Sequence, residues 1–348
     1  MIRRPTVFVV GAGASCELGF PSGPALLENI GRALDIRFDG FTQKSGAHEI
    51  MAAYKRHHHQ NNPDTDLNDY LHAGWRLREA SKIARSIDNA MDQNGDNPKV
   101  TLAGKFAIAS EILKAEHNSI IYQGDGFTPK NPVDKAKNTW LHYFAQIITT
   151  EIQPRKLESI FEDLSIITFN YDRSIEHYLP FALISAYGIP LQVAQQLVKG
   201  LRIFHPYGQV GPLPWLTEDS STGAIDFGED PQTRLEAIAS GLQTFTESRR
   251  VDEELNTLRS VMSAAEQIVF LGFGFHRPNL EIIKPVSGIR ATKIMGTAFN
   301  EPNPARGVAM ELLNNLFDEP KNNPYSFIDL TSIECTGFLR DNFSVITQ

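Results

Sequence analysis

Cysteine is scarce in this chain. Among 348 residues there are two, Cys16 and Cys335, near opposite ends and in no CxxC pair, which excludes a four-cysteine zinc ribbon and fits a reducing, cytoplasmic setting. Long apolar runs are also missing. The first, Val7 to Val10, ends at a glycine turn and is far too short for a signal peptide's apolar region or a membrane span. Positive charge is outnumbered, with 33 basic against 41 acidic side chains and a formal charge of -8, so polyphosphate is not held by non-specific attraction over the whole surface. Low-complexity tracts and solenoid-length repeats are absent as well. What remains, 41% hydrophobic and 21% charged, is the composition of a soluble enzyme. The length allows one large α/β domain with insertions or two modest ones.

Four short apolar runs, each followed by turn residues and helical periodicity, stand far apart: Val7 to Val10, Ile166 to Phe169, Leu201 to Phe204 and Ile268 to Leu271. Strands buried on both faces of a parallel sheet lose polar alternation and read this way. Lys293 to Met295 and Ser326 to Leu330 are two further candidates. Some 150 residues separate the first and second strong runs, too many for one crossover helix. Their apolar spacing is helical: Ile83, Ile87 and Met91; Leu102, Phe106, Ala109 and Leu113; Leu141, Phe144 and Ile148. All are expected in the core. The fold class predicted is α/β, a doubly wound, mostly parallel sheet in a single domain, with a helical insertion over roughly 40–160. Loops are expected at Asn61 to Asp64, Gln93 to Pro98 and Gly124 to Pro132, and the stretch from Pro212 to Pro231 reads as a mobile surface loop, a candidate lid.

Four sites carry possible chemistry. Val7 to Ser15 reads as a strand entering the turn Gly11-Ala12-Gly13 and opening a helix that contains Leu18, Leu26 and Leu27. Glycine there lets backbone approach a pyrophosphate, and free N–H groups at the helix start favour an anion; a tight turn with no ligand is the alternative. Cys16 stands where a dinucleotide fingerprint has its third glycine, which disfavours an ordinary hydride-transfer enzyme. The second site is Phe169-Asn170-Tyr171-Asp172 at the carboxyl end of a strand, the edge where open α/β sheets bind ligands. Asp172 is read equally as a ligand and as a cap for the helix that follows. The third is Phe204-His205-Pro206, where the histidine is either a hydrogen-bonded turn residue or a base able to work near neutral pH. The fourth is the turn Gly272-Phe273-Gly274 after Ile268 to Leu271, with Asn279 beyond.

In sequence order, GAGAS, FNYD, FHPYG and FLGFGF together resemble the sirtuin-like family, whose fold is Rossmann-like. The resemblance implies that Gly11, Ala12, Gly13 and Ser15 cradle NAD, with Pro21 and Asn279 also on the cofactor, while Gly272 and Phe273 border its adenosine half. It implies that Asn170 orients the nicotinamide ribose, that His205 is the base, and that Asp172 fills the family's acidic position. The lack of a zinc ribbon, Phe169 in place of glutamine, and Pro21-Ser22-Gly23 all depart from the protein-deacetylase branch. What is left is similar to bacterial sirtuin-like NAD hydrolases of antiphage defence, with ADP-ribosyl transfer, deacylation or a non-catalytic scaffold role as rival readings.

That likeness implies NAD as substrate with no metal, and release of ADP-ribose in linear or cyclic form. A free-running NAD hydrolase would poison its own cell, so gating is expected from homo-oligomerisation or a separately encoded ATPase, nuclease or Argonaute-like partner. Direct sequence-specific nucleic-acid binding is not expected. The chemistry suits the residues: nicotinamide leaves neutral from a cationic ring and needs no acid, so the paired carboxylates of ordinary glycosidases are unnecessary. A polar group at the ribose and a base for water are required. Two decoys are set aside. His57-His58-His59 is read as adjacent loop histidines that do not converge on one ion, and Cys16 as a small packed residue.

Overall fold

The computed structural model describes residues 2–61, 63–124, 131–217, 223–232, 234–248, 253–317 and 327–348. Six strands form one sheet: β1 (Thr6–Val10), β2 (Leu164–Thr168), β3 (Arg202–Phe204), β4 (Gln267–Leu271), β5 (Lys293–Thr297) and β6 (Phe327–Thr331). Every pairing is parallel, and the spatial order is β3-β2-β1-β4-β5-β6. This is the order of Rossmann-like folds, in which the winding reverses at the central strand and leaves a crevice at the carboxyl edge. Each strand expected from an apolar run is present.

Burial explains those runs. β1, β2 and β4 are buried at every residue because alternate side chains feed two separate cores. Val7 and Val9 pack with Ile50, Tyr54 and Phe106 on one face; Phe8 and Val10 pack with Trp140, Leu141 and Phe144 on the other. Phe8 meets Phe144 edge-on at 5.0 Å. The long segment between β1 and β2 is helical, with helices Gly23–Ala33, His48–Asn61, Asn68–Ser81, Ile87–Asp92, Pro98–Asn118 and Trp140–Thr149, and one antiparallel hairpin pairing Arg37–Asp39 with Thr42–Ser45. It shares both cores with the sheet.

Local signals account for the helix starts. Ser86 accepts the Asn89 N–H at 3.1 Å and Asn97 that of Lys99 at 3.0 Å, with Pro98 in the first turn, where its missing N–H is not needed. The expected core positions Phe106, Ala109, Leu113, Leu141, Phe144 and Ile148 are buried, and Leu102 is half-buried against the core.

Three expectations are corrected. Ile83 is 87% exposed, because it lies in the turn between helices Asn68–Ser81 and Ile87–Asp92 rather than on the helical stripe of Ile87 and Met91. His57, His58 and His59 are not in a loop but in the last turns of helix His48–Asn61, where successive side chains diverge by about 100°. The helix opened by the first glycine turn is short, Ala12–Cys16; Gly19, at φ 95°, turns the chain before Leu26 and Leu27 enter helix Gly23–Ala33. Asp125, Gly126 and Pro129 of one expected loop lie outside the described residues. No helix among the described residues is long and apolar enough to cross a membrane.

Candidate active site

Register brings the expected site together. Val10 is level with Thr168 and Leu271, and Ile167 with Phe204, so Gly11, Asn170, His205 and Gly272 leave the sheet side by side at one edge. At its centre two glycine turns lock together. Gly13 donates its N–H to Gly272 O at 3.0 Å, and Gly11 to Leu271 O at 2.9 Å. A Cβ on Gly11 would fall 2.6 Å from Gly272 O, and one on Gly272, at φ 58°, 2.0 Å from Ala14 N. The structure thus gives these glycines a first cause other than a pyrophosphate: the turns could not touch otherwise. Gly13 N–H and Ala14 N–H, which donates to Gly11 O, are spent inside the protein, so the turn offers fewer free donors than expected. Ala12 and Gly13 are nevertheless exposed, and the turn faces solvent.

Asn170 lies beside this turn, 7% exposed. Its Nδ2 donates to Gly11 O at 3.2 Å and to Ser15 Oγ at 2.8 Å, and its own N–H is held by Thr168 Oγ1 at 3.2 Å. Both amide hydrogens are committed, while Oδ1 is buried with no protein partner. Ser15 in turn donates to Asp172 Oδ2 at 2.8 Å. The other carboxylate oxygen accepts the Ser174 N–H at 3.1 Å, so Asp172 braces the start of helix Ser174–Tyr187 and anchors Ser15. Burial pushes its carboxyl up against these bonds, which pull it down.

His205 meets the same residue from β3. Its Nδ1 lies 3.3 Å from the Asn170 carbonyl oxygen, and its Nε2 lies 2.9 Å from Glu176 Oε1, with both side chains nearly buried. Burial opposes the charged imidazole, but the Glu176 carboxylate, its hydrogen bond, the Asn170 carbonyl and Asp172 outweigh it, and the ring titrates above its ordinary value. Glu176 was not expected from the sequence. The signal was there: a carboxylate one helical turn after Asp172, in the first turn of a helix that starts at the sheet's ligand-binding edge, where side chains point back toward the helix start.

Aromatic rings line the side toward β4. Phe169 packs on Tyr207 at 5.6 Å and on Phe273 at 5.2 Å, and Phe273 on Phe275 at 5.3 Å. Phe273 is buried in this cluster. The Tyr207 hydroxyl donates to Asn279 Oδ1 at 2.6 Å, and the Tyr171 hydroxyl to Asp88 at 2.7 Å, which ties the site to the helical insertion. Pro21 stands half-buried just before Ser22, whose Oγ caps helix Gly23–Ala33 by accepting the Ala25 N–H at 3.4 Å.

The expected lid has fixed flanks. Arg173, fully buried, pairs with the fully buried Glu116 of helix Pro98–Asn118 at 2.5 Å and also donates to the carbonyls of Gly211, Ile225 and Asp226. Glu116 additionally accepts the Gly228 N–H at 2.9 Å. Described parts of the stretch from Pro212 to Pro231 are therefore clamped to the insertion. Residues 218–222 lie outside the described ones. Beside the clamp His177 stacks on Phe227 at 3.9 Å, and burial pushes its ring down to about 4.

Cys16 is a further correction: the residue lies at the surface rather than packed in a core, and partial desolvation of its sulfur, with Glu17 and Asp172 nearby, pushes the thiol up, away from reactive thiolate character. Among the described residues no three His, Cys, Asp or Glu side chains gather as a metal site. A surface recess of about 470 Å³ lined by Asp69, His72, Arg76 and Lys99 belongs to the insertion, away from this edge, and its charges are paired as Lys99–Asp69 and Arg76–Asp96. Compared with models of known protein families and with curated proteins, the chain matches none.

Proposed function

We propose that the chain is a sirtuin-like NAD hydrolase that cleaves the nicotinamide–ribose bond at this edge. The observation that carries the reading is Asn170, a buried amide whose two hydrogens are committed to Gly11 and Ser15 and whose Oδ1 has no protein partner, in contact through its own carbonyl with His205. A buried acceptor left unpaired costs about 1–3 kcal/mol; a ribose hydroxyl donating to it removes that cost and fixes the sugar. The exposed Ala12-Gly13 turn beside it leaves room for the phosphates.

In the reaction the C1′–N bond breaks, its electron pair neutralises the pyridinium ring, and nicotinamide departs. Water forms the new C1′–O bond and its proton passes through His205 to solvent, so NAD and water yield nicotinamide, ADP-ribose and a proton. The Asn170 amide is held rigid by Gly11 and Ser15, so it costs little reorganisation as positive charge develops on the ribose. By the same resemblance we assign the activity to NAD depletion in antiphage defence, gated by assembly or by a separately encoded partner. The test is release of nicotinamide from NAD by the full chain, followed by mass spectrometry, over a range of protein concentrations. Release lost in both Asn170→Ala and His205→Ala supports the reading; equal turnover in all three proteins rejects it.

A further inference from the structure

Imidazole has two ring nitrogens but, when neutral, one hydrogen, and both nitrogens of His205 face oxygen acceptors: Glu176 Oε1 at 2.9 Å from Nε2 and the Asn170 carbonyl at 3.3 Å from Nδ1. A carboxylate at the shorter distance is the stronger acceptor. We infer that Glu176 is the positioning residue of this histidine: it holds the hydrogen on Nε2, which makes Nδ1 the atom that takes the proton from the attacking water. The inference rests on the NAD-cleaving reading for its last clause only.

Two features support it. Glu176 is 4% exposed, so its bond to the ring is not in competition with bulk water. Its second oxygen, Oε2, has no protein partner, so the carboxylate has no other bond to satisfy at the expense of the histidine. The neutral ring then presents the Nδ1 lone pair to the Asn170 carbonyl, a contact with no hydrogen in it and one that a substrate hydroxyl exchanges at little cost. Once protonated, Nδ1–H donates to that carbonyl while Nε2–H stays on Glu176, and the imidazolium is held at both ends. The buried carboxylate thus sets tautomer and orientation, as in acid–histidine–nucleophile triads. The titratable groups facing the ring are Glu176 from helix Ser174–Tyr187 and Asp172 from the loop between β2 and that helix; the Arg173 guanidinium is turned to Glu116.

The experiment is ¹⁵N NMR of the histidine rings in the full chain, with His205 assigned by its absence from His205→Gln. In the wild type the neutral ring is expected as the Nε2–H tautomer. In Glu176→Gln its titration midpoint is expected to fall by about one unit, and the acidic limb of nicotinamide release to move with it, while kcat drops about tenfold to a hundredfold and KM for NAD changes little. Glu176→Asp is expected to restore part of both. A neutral wild-type ring with its hydrogen on Nδ1 overturns the inference even if neither Glu176 variant folds, and so does an unchanged midpoint in Glu176→Gln. If the midpoint moves while nicotinamide release is equal in wild type, Asn170→Ala and His205→Ala, the Glu176–His205 pairing stands and the NAD-cleaving reading fails.

Discussion

The N–H of Gly13 reaches the carbonyl oxygen of Gly272 across 3.0 Å, so two turns 259 positions apart in sequence close on each other at the point where the sheet reverses its winding. A side chain at either place separates them. Gly272→Ala puts a Cβ 2.0 Å from Ala14 N at a φ of 58°, a strained backbone and a clash together, and is expected to cost about 3 kcal/mol or more. Gly307, within helix Asn303–Leu316 and with open space around its Cβ position, is the control: Gly307→Ala is expected to stabilise by about 0.5–1 kcal/mol. Urea denaturation of the two variants reads both signs, and a Gly272→Ala protein as stable as wild type would remove the locking argument.

Asn170→Ala separates fold from chemistry. It strips the donor from Gly11 O and Ser15 Oγ, two acceptors in a buried setting, and is expected to cost about 1–3 kcal/mol. Nicotinamide release is expected to fall at least about a hundredfold, well beyond what the stability loss explains at 25 °C. Parallel denaturation and turnover measurements check the two numbers. A stability loss without a turnover loss would leave Asn170 as scaffold alone.

The sheet was legible because strands buried on both faces are built on short apolar runs, and β1, β2 and β4, buried at every residue, carry Val7 to Val10, Ile166 to Ile167 and Ile268 to Leu271. Asn170 and His205 stood out as the first strongly polar side chains after the apolar runs Ile166 to Phe169 and Leu201 to Phe204, and the structure brings the two together at one edge of the sheet. Glu176 and Glu116 did not stand out. Each reaches its partner through the fold, Glu176 by meeting the residue that follows β3 from the helix after β2, Glu116 by crossing from the insertion to Arg173. Periodicity records which face a residue occupies but not which charge waits opposite. Asp172 was undecided for a related reason, because capping and ligand binding call for the same short acidic side chain.

Arg173 and Glu116 are both fully buried, and the guanidinium commits its donors to Glu116 and to three backbone carbonyls. Breaking such a pair from one side leaves an uncompensated charge. Glu116→Gln is expected to destabilise by about 3–5 kcal/mol, and Arg173→Met/Glu116→Leu to recover part of that loss through their coupling. Hydrogen exchange adds a local readout, because the Gly228 amide bonded to Glu116 is expected to lose protection in Glu116→Gln ahead of the sheet amides. Equal protection of Gly228 in both proteins would contradict the clamp on the stretch after β3.

His177 is stacked on Phe227 and hydrogen-bonded to the Ile121 carbonyl at 3.1 Å, and burial, the largest influence on it, holds its ring down to about 4 from an ordinary 6.5. Above the ordinary value the ring is neutral in both folded and unfolded chains and pH has no leverage through it. As pH falls below that value the unfolded chain takes up a proton that the folded one refuses, so stability drops across the window from 6.5 to about 4. The full drop is about 3 kcal/mol. His177→Gln keeps a donor for Ile121 and removes the titration, so its stability is expected to change less than that of the wild type between pH 7.5 and 5. Denaturant midpoints at the two pH values give the comparison directly, and parallel slopes in the two proteins would show that His177 is already free to protonate in the folded chain.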